Sequence, residues 1–311
     1  MKSAPFRLRA DDGVDLYVHH FAPDSPGDVR AALQILHGMG EHGARYERLA
    51  RELCEDGFAV YAADCRGHGL TAQAAELGHF ADRDGWEMIV ADARTLAARI
   101  AASHSGVPRV LLGHSMGSFI ALDFLSRFGA GLRAAVLSGS APSAGPLGWV
   151  LRAAANAERL RLGARGQSAL LRRALFGRFN DAFAPAETAF DWLSRDRDEV
   201  ARYVADPLCG FVLTAGGFTD LAAALGAIYK RQKLARIPRA LPLLLIAGEL
   251  DPVAGGAGVT RLAGELRAAG LERVDVRIYA GARHELLNEI DRDQVTRDLR
   301  AWLRTALATS A

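Results

Sequence analysis

The feature that most constrains this chain is a series of short, almost wholly apolar runs, each stopped by glycine or a small polar residue. Ala31–Leu36 ends at His37-Gly38, Phe58–Ala63 ends at Asp64, and residues 110–112 end at Gly113. Residues 134–137 end at Ser138-Gly139, and residues 242–247 end at Gly248. Runs with no polar alternation fit strands covered on both faces, which is how a parallel sheet reads. Residues 14–21 alternate apolar and polar positions instead, as a strand with one wet face does. Residues 274–279 supply a further strand. Between these runs lie stretches of helical spacing, at about 44–55, 85–100, 259–269 and 294–307. Trp86, Ile89, Ala93, Leu96 and Ile100 fall three or four apart, so they share one face of a helix. Alternating strands and helices predict an α/β fold, with a mostly parallel central sheet flanked by helices.

The alternation breaks at residues 140–241. This interval reads as a helical cap inserted into a core made of residues 1–139 and 242–311. Its first part carries Arg152, Arg159, Arg161, Arg165, Arg172 and Arg173 among Leu and Ala. Two roles stay open for that stretch, a solvated helix face and an interfacial helix that meets anionic lipid.

Composition removes several classes of function. Of 311 residues, 50% are apolar and 24% charged, as in a globular enzyme rather than a disordered chain. The net charge of +2 gives no reason to expect nucleic acid as a partner. Cys54, Cys65 and Cys209 are widely spaced and odd in number, so neither a disulfide framework nor a metal motif is expected and a reducing compartment fits. No apolar run has the length of a secretory signal or a membrane span, so a soluble cytoplasmic protein is expected.

Gly113-His114-Ser115-Met116-Gly117 matches G-x-S-x-G, the nucleophile elbow of the α/β-hydrolase fold. It follows an apolar strand and opens a helical segment, which is the context the motif requires. The turn lifts the serine hydroxyl to the end of the sheet, and crowding by neighbouring backbone demands small residues two before and two after it. The helix that starts there directs its positive end at developing negative charge.

A serine hydroxyl needs a base, and the base needs an orienting acid. In this fold the order along the chain is Ser, then Asp or Glu, then His. Only one histidine follows Ser115, namely His284, in a loop after the strand ending at Tyr279. Asp251 follows the strand at 242–247 and is the expected acid; Glu249 competes with it, and Asp275 sits inside a strand. One oxyanion donor should be the backbone N–H of Met116. The second should come from the loop His37-Gly38-Met39-Gly40-Glu41-His42-Gly43, with Met39 N–H the natural choice. His37 and His42 lie five apart without a matching third ligand, so no metal site is expected there. His68, His79 and His114 are expected to make structural hydrogen bonds, and Asp64 and Arg66 to hold a loop.

His37-Gly38-Met39-Gly40-Glu41-His42, followed by Arg45-Tyr46, resembles the HGxGEHxxRY signature of monoacylglycerol lipases. Asp64-x-Arg66-Gly67-His68-Gly69, the elbow, Asp251-Pro252-Val253 and Gly281-x-x-His284-Glu285 follow in that family's order. The resemblance spans most of the chain and is shared with bacterial lysophospholipases. It implies a serine esterase acting on a single acyl chain esterified to glycerol, with Ser115, Asp251 and His284 catalytic and Met39 and Met116 as oxyanion donors. It also sets Arg45 where the family has an arginine near the polar end of the pocket, a surface salt bridge being the equal alternative. The implied partner is a small-molecule ester or lipid, the chemistry needs no cofactor, and the cap is a candidate for peripheral membrane contact. A carboxylesterase, a lysophospholipase or an aminopeptidase of the same fold, and a non-catalytic binding protein, are the rival functions. Trp149, Leu151 and Leu147 are candidates for lining an acyl tunnel or for packing the cap on the sheet.

Overall fold

A computed structural model of the chain describes residues 1–308. Among these, nine strands form one sheet: β1 (Lys2–Ser3), β2 (Phe6–Arg9), β3 (Asp15–Ala22), β4 (Ala31–Leu36), β5 (Phe58–Ala63), β6 (Arg109–His114), β7 (Ala134–Ser138), β8 (Leu243–Gly248) and β9 (Val274–Tyr279). The order across the sheet is β1-β3-β5-β4-β6-β7-β8-β9, with β2 also paired to β3. From β5 to β9 every pairing is parallel, whereas β1, β2 and β3 pair antiparallel at one edge. All the strands expected from apolar runs are present. β1 and β2 were not expected, because Lys2-Ser3 and Phe6-Arg7-Leu8-Arg9 carry too little apolar residue to stand out. They form by pairing with β3 at the wet edge.

The helices are α1 (Glu47–Glu55), α2 (Gly85–Ser103), α3 (Met116–Phe128), α4 (Pro146–Leu162), α5 (Ala169–Phe176), α6 (Arg197–Ala205), α7 (Ala215–Ile228), α8 (Arg231–Leu234), α9 (Gly255–Ala268) and α10 (Arg292–Ala308). β4 and β8 are buried along their whole length, and alternate residues feed two separate cores. Leu33, Ile35, Leu244 and Ile246 pack with Leu49 and Leu53 of α1 and with Leu299 and Trp302 of α10. Leu111, Leu137, Leu243 and Leu245 pack with Ile89 of α2, Ile120 of α3 and Leu262 of α9. Strands apolar on both faces are therefore required by helices on both faces.

α4 to α8 all lie between β7 and β8. The last two are joined to the core: Phe218 of α7 and Leu234 of α8 belong to the same buried cluster as α2 and α3. Lys233 also pairs with Asp123 of α3 at 2.7 Å. The insertion thus grades into the core at its C-terminal end. Among the described residues no helix is long and apolar enough to cross a membrane.

The chain leaves β4 toward β5 on one side and later returns to pair β6 on the other. Such a reversal of strand order opens a crevice beyond the carbonyl ends of the strands, where ligands of α/β folds bind. The segments following β4, β6, β8 and β9 all emerge there.

Candidate active site

Ser115 is the single residue between β6 and α3, and it adopts φ +51° and ψ −120°. A side-chain-bearing residue held at positive φ costs on the order of 1–3 kcal/mol, so the surroundings must impose it. They do so by close packing. A Cβ on Gly117 would collide with the carbonyl oxygen of Leu36, and one on Gly113 would collide with that of Gly117. The first turn of α3 therefore rests directly on the end of β4. Ser115 N–H donates to Ser138 O at 2.9 Å, and Ser118 Oγ donates to Ser115 O at 2.6 Å, which fixes both sides of the turn.

His284 and Asp251 meet from loops 33 residues apart in sequence, with Nδ1 and Oδ2 separated by 2.9 Å. Both side chains are buried. Val253 N–H donates to the other Asp251 oxygen at 2.8 Å, so the carboxylate is oriented as well as paired. The rival acids are elsewhere: Glu249 accepts from Gly281 N–H, and Asp275 accepts from Trp302 Nε1. Burial pushes the His284 imidazole toward its neutral form, but the charge and hydrogen bond of Asp251 outweigh it and raise the pKa above 6.5. The ring lies 4.8 Å from that of His114 and 5.1 Å from that of Trp192. Among the described residues no hydrogen bond joins Ser115 Oγ to His284. Such contacts are commonly loose in a ligand-free enzyme and tighten around substrate.

The loop after β4 passes beside the serine. Cβ built on Gly38 lies 3.3 Å from Ser115 Cβ. Among the described residues neither Met39 N–H nor Met116 N–H donates to another protein group, which leaves both for a ligand oxygen. The loop is held from below and above. Glu41 Oε1 accepts from Gly38 N–H at 2.6 Å and from Tyr46 OH at 2.9 Å. Gly40 O accepts from Tyr203 OH at 2.8 Å and from Gly210 N–H at 3.0 Å, both from the β7–β8 insertion.

Arg45 is committed to a buried ion network. Its guanidinium pairs with Glu285 through two bonds of 2.6 and 2.7 Å and with Glu41 at 2.9 Å, and its face covers Tyr203. Glu41 is pulled below its ordinary pKa although burial opposes this, because Arg45 and the neighbouring histidines favour its charge. The arginine joins Glu41, which holds the Met39 loop, to Glu285, which follows His284. Sequence reasoning placed Arg45 at a pocket and overlooked Glu41 and Glu285 as its partners. The signal was present only as two acids, Glu41 4 residues before Arg45 and Glu285 240 residues after it.

His37, His68, His79 and His114 make hydrogen bonds within the fold. His37 bonds Gly38 O and accepts from Cys65 N–H, and His79 meets Thr214 and Asp82. His114 meets Ser138 Oγ at 3.3 Å, and burial followed by the neighbouring His284 holds its pKa down to about 4. His68 Nδ1 meets Arg66 O, while its Nε2 has no partner. Arg66 ties Asp12 to Asp92, and Asp64 accepts from Gly43 and Leu70 N–H, so both hold loops.

This arrangement, at the carbonyl ends of a parallel sheet, defines a hydrolase of the α/β-hydrolase fold. The chain belongs to the family described as serine aminopeptidase, S33, which matches residues 27–291. It is 30% identical over 292 residues to a monoacylglycerol lipase of Mycolicibacterium smegmatis, spanning 94% of this chain and 93% of that protein. It is 28% identical to human monoglyceride lipase, spanning 96% of this chain and 91% of that protein. A thermostable carboxyl esterase of Bacillus coagulans, solved in complex with glycerol, superposes with a TM-score of 0.90 at 27% identity, covering 99% of both chains. The protein is a serine ester hydrolase of this group.

Three outcomes follow from the electrostatics. A general base must be neutral, so kcat/KM should fall as pH drops through an apparent pKa above 6.5. Asp251→Asn should move that acidic limb to lower pH as well as reduce the rate, measured by pH–rate profiles. The stabilising effect of the His284–Asp251 pair runs the opposite way: it is complete below pH 6.5 and fades as pH rises through the raised pKa. Glu285→Ala should cost about 3–5 kcal/mol by leaving Arg45 half-compensated in a buried site, read from the denaturant midpoint.

Proposed function

We propose that this chain hydrolyses monoacylglycerols, esters of one fatty-acyl chain with glycerol, on a Ser115–His284–Asp251 triad. The observation that carries the proposal is the pairing of a buried, acid-bonded His284 with a strained Ser115 beside two unengaged backbone donors. Ser115 Oγ attacks the ester carbonyl while His284 Nε2 takes its proton and Asp251 stabilises the imidazolium. Met39 and Met116 N–H groups receive the oxyanion. His284 returns the proton to the departing alcohol, glycerol. Water, deprotonated by the same base, then releases the fatty acid and regenerates Ser115. Support for the substrate comes from the two lipases, which align along more than nine-tenths of this chain. The esterase solved with glycerol adds support for the alcohol.

Residues 140–241 act in this proposal as a cap over a core of residues 1–139 and 242–311. Supporting this, the insertion reaches the site itself: Trp192 lies against His284, and Tyr203 and Gly210 hold Gly40. The cap also offers a surface for lipid. On the first half of α4, Leu147, Trp149 and Val150 are exposed, Trp149 to 76%, so Leu147 and Trp149 do not pack the cap onto the sheet. Arg152 follows on the same helix, exposed. Arg159, Arg161 and Arg165 are instead occupied by Asp82 and Glu158. An apolar patch followed by a cation suits the surface of a lipid aggregate.

The family's description as an aminopeptidase favours one other reading, cleavage of aminoacyl amides on the same residues. A panel of monoacylglycerols, lysophospholipids, nitrophenyl esters of graded length and aminoacyl amides separates the two. Monoacylglycerols should give the highest kcat/KM, and preference for the amides would reject the lipase assignment. A fluorophosphonate should label the wild type and leave Ser115→Ala unlabelled. Trp149→Ser combined with Leu147→Ser should lower turnover of vesicle-borne monoacylglycerol several-fold while leaving a soluble short-chain ester unaffected.

A further inference from the structure

His42 has ligating neighbours that the local sequence does not reveal. His19 on β3, His42 in the loop after Met39, and Asp64 at the end of β5 bring one ligating atom each to within 4.8 Å of one another. Asp64 is buried, and the side chains of His42 and His19 are only 9% and 12% exposed. His19 Nε2 stands 3.1 Å from Asp64 Oδ1. Zinc binds imidazole nitrogen and carboxylate oxygen at about 2.0–2.2 Å, so tetrahedral neighbours lie roughly 3.3 Å apart, close to that spacing. The packing fixes the donors. A Cβ on Gly43 would lie 2.6 Å from Ala62 O and 2.8 Å from His19 Cδ2, so glycine is what lets the His42 segment close on the His19 ring.

The geometry points to a binding site for a zinc-class divalent cation on His19, His42 and Asp64. The ion replaces the proton shared by His19 Nε2 and Asp64, with the His19 proton carried on Nδ1 instead. Two nitrogens and one carboxylate leave a fourth position for water, the donor set of an open zinc site. Asp206 Oδ2, 2.9 Å from His42 Nε2, supplies a neighbouring carboxylate that orients the ring. Arg45, the cation that acts on Asp206, is already neutralised by Glu41 and Glu285. A second set, His42, Asp206 and Cys209, shares the imidazole. Its Asp206 and Cys209 are less buried than His19 and Asp64, which favours the nitrogen–oxygen set. The ion takes no part in ester hydrolysis. It fastens the segment carrying Met39 to β3 and β5, and so links cation binding to the rigidity of that loop.

The test is titration of zinc chloride into the full chain, freed of metal by chelation, in a non-coordinating buffer, read by calorimetry and by thermal melting. One ion per chain and a rise in Tm of several degrees are expected. His19→Gln and His42→Gln should each weaken binding at least tenfold, since glutamine keeps a hydrogen-bond donor but is a poor zinc ligand, while Cys209→Ser should bind as the wild type does. Cobalt(II) bound to the wild type should show d–d absorption with no thiolate charge-transfer band, a readout independent of how the variants fold. Absence of saturable binding, affinity unchanged in His19→Gln, or a thiolate charge-transfer band would overturn the assignment.

Discussion

The structure turns on one contact, the seating of α3 on the carbonyl end of β4 at Gly117. There is no room for a side chain between that glycine and the Leu36 oxygen, and the contact forces the chain through Ser115 at positive φ. It also brings the turn that carries Met116 N–H beside the loop that carries Met39 N–H. The proposed nucleophile and oxyanion donors are thus positioned by backbone packing between a strand and a helix. Backbone of this kind, buried between two cores, does not reorganise when charge develops, which is what electrostatic catalysis requires.

The buried ion network of Glu41, Arg45 and Glu285 acts on the same site from beneath. Burying three charges is weak as a source of stability, because desolvation offsets most of the attraction. Its effect lies in geometry. Glu41 holds the Gly38 amide, Glu285 follows His284, and Arg45 can satisfy both only when the two loops keep one relative position. Tyr203 and Gly210 grip Gly40 from the insertion, so the Met39 loop is clamped between the sheet and that insertion. Any shift of the insertion would take those two bonds with it and change the setting of the Met39 loop.

Much of this was legible beforehand because the signals are local. Strands buried on both faces must be apolar throughout, and the elbow needs its glycines within two residues of the serine. The sole histidine after Ser115 left little choice of base. Asp251 could be favoured over Glu249 but not separated from it, since both follow β8 closely. Their separation came with burial: Asp251 turns inward to His284, and Glu249 turns out to Gly281. Arg45 illustrates the opposite case. Its motif was visible, yet its partner Glu285 lies 240 residues away, and no periodicity links positions so distant.

The sequence by itself therefore determined the sheet and the turn at Ser115 and singled out Ser115, Asp251 and His284 as candidates, because each depends on patterns only a few residues long. Tertiary structure alone decided which charges meet: Arg45 with Glu285, His19 with Asp64, and the β7–β8 insertion with the Met39 loop. The reason is physical. Backbone sterics and apolar periodicity act between neighbours in sequence, whereas ion pairing and ligand geometry act at about 3 Å between groups that only the completed fold brings together.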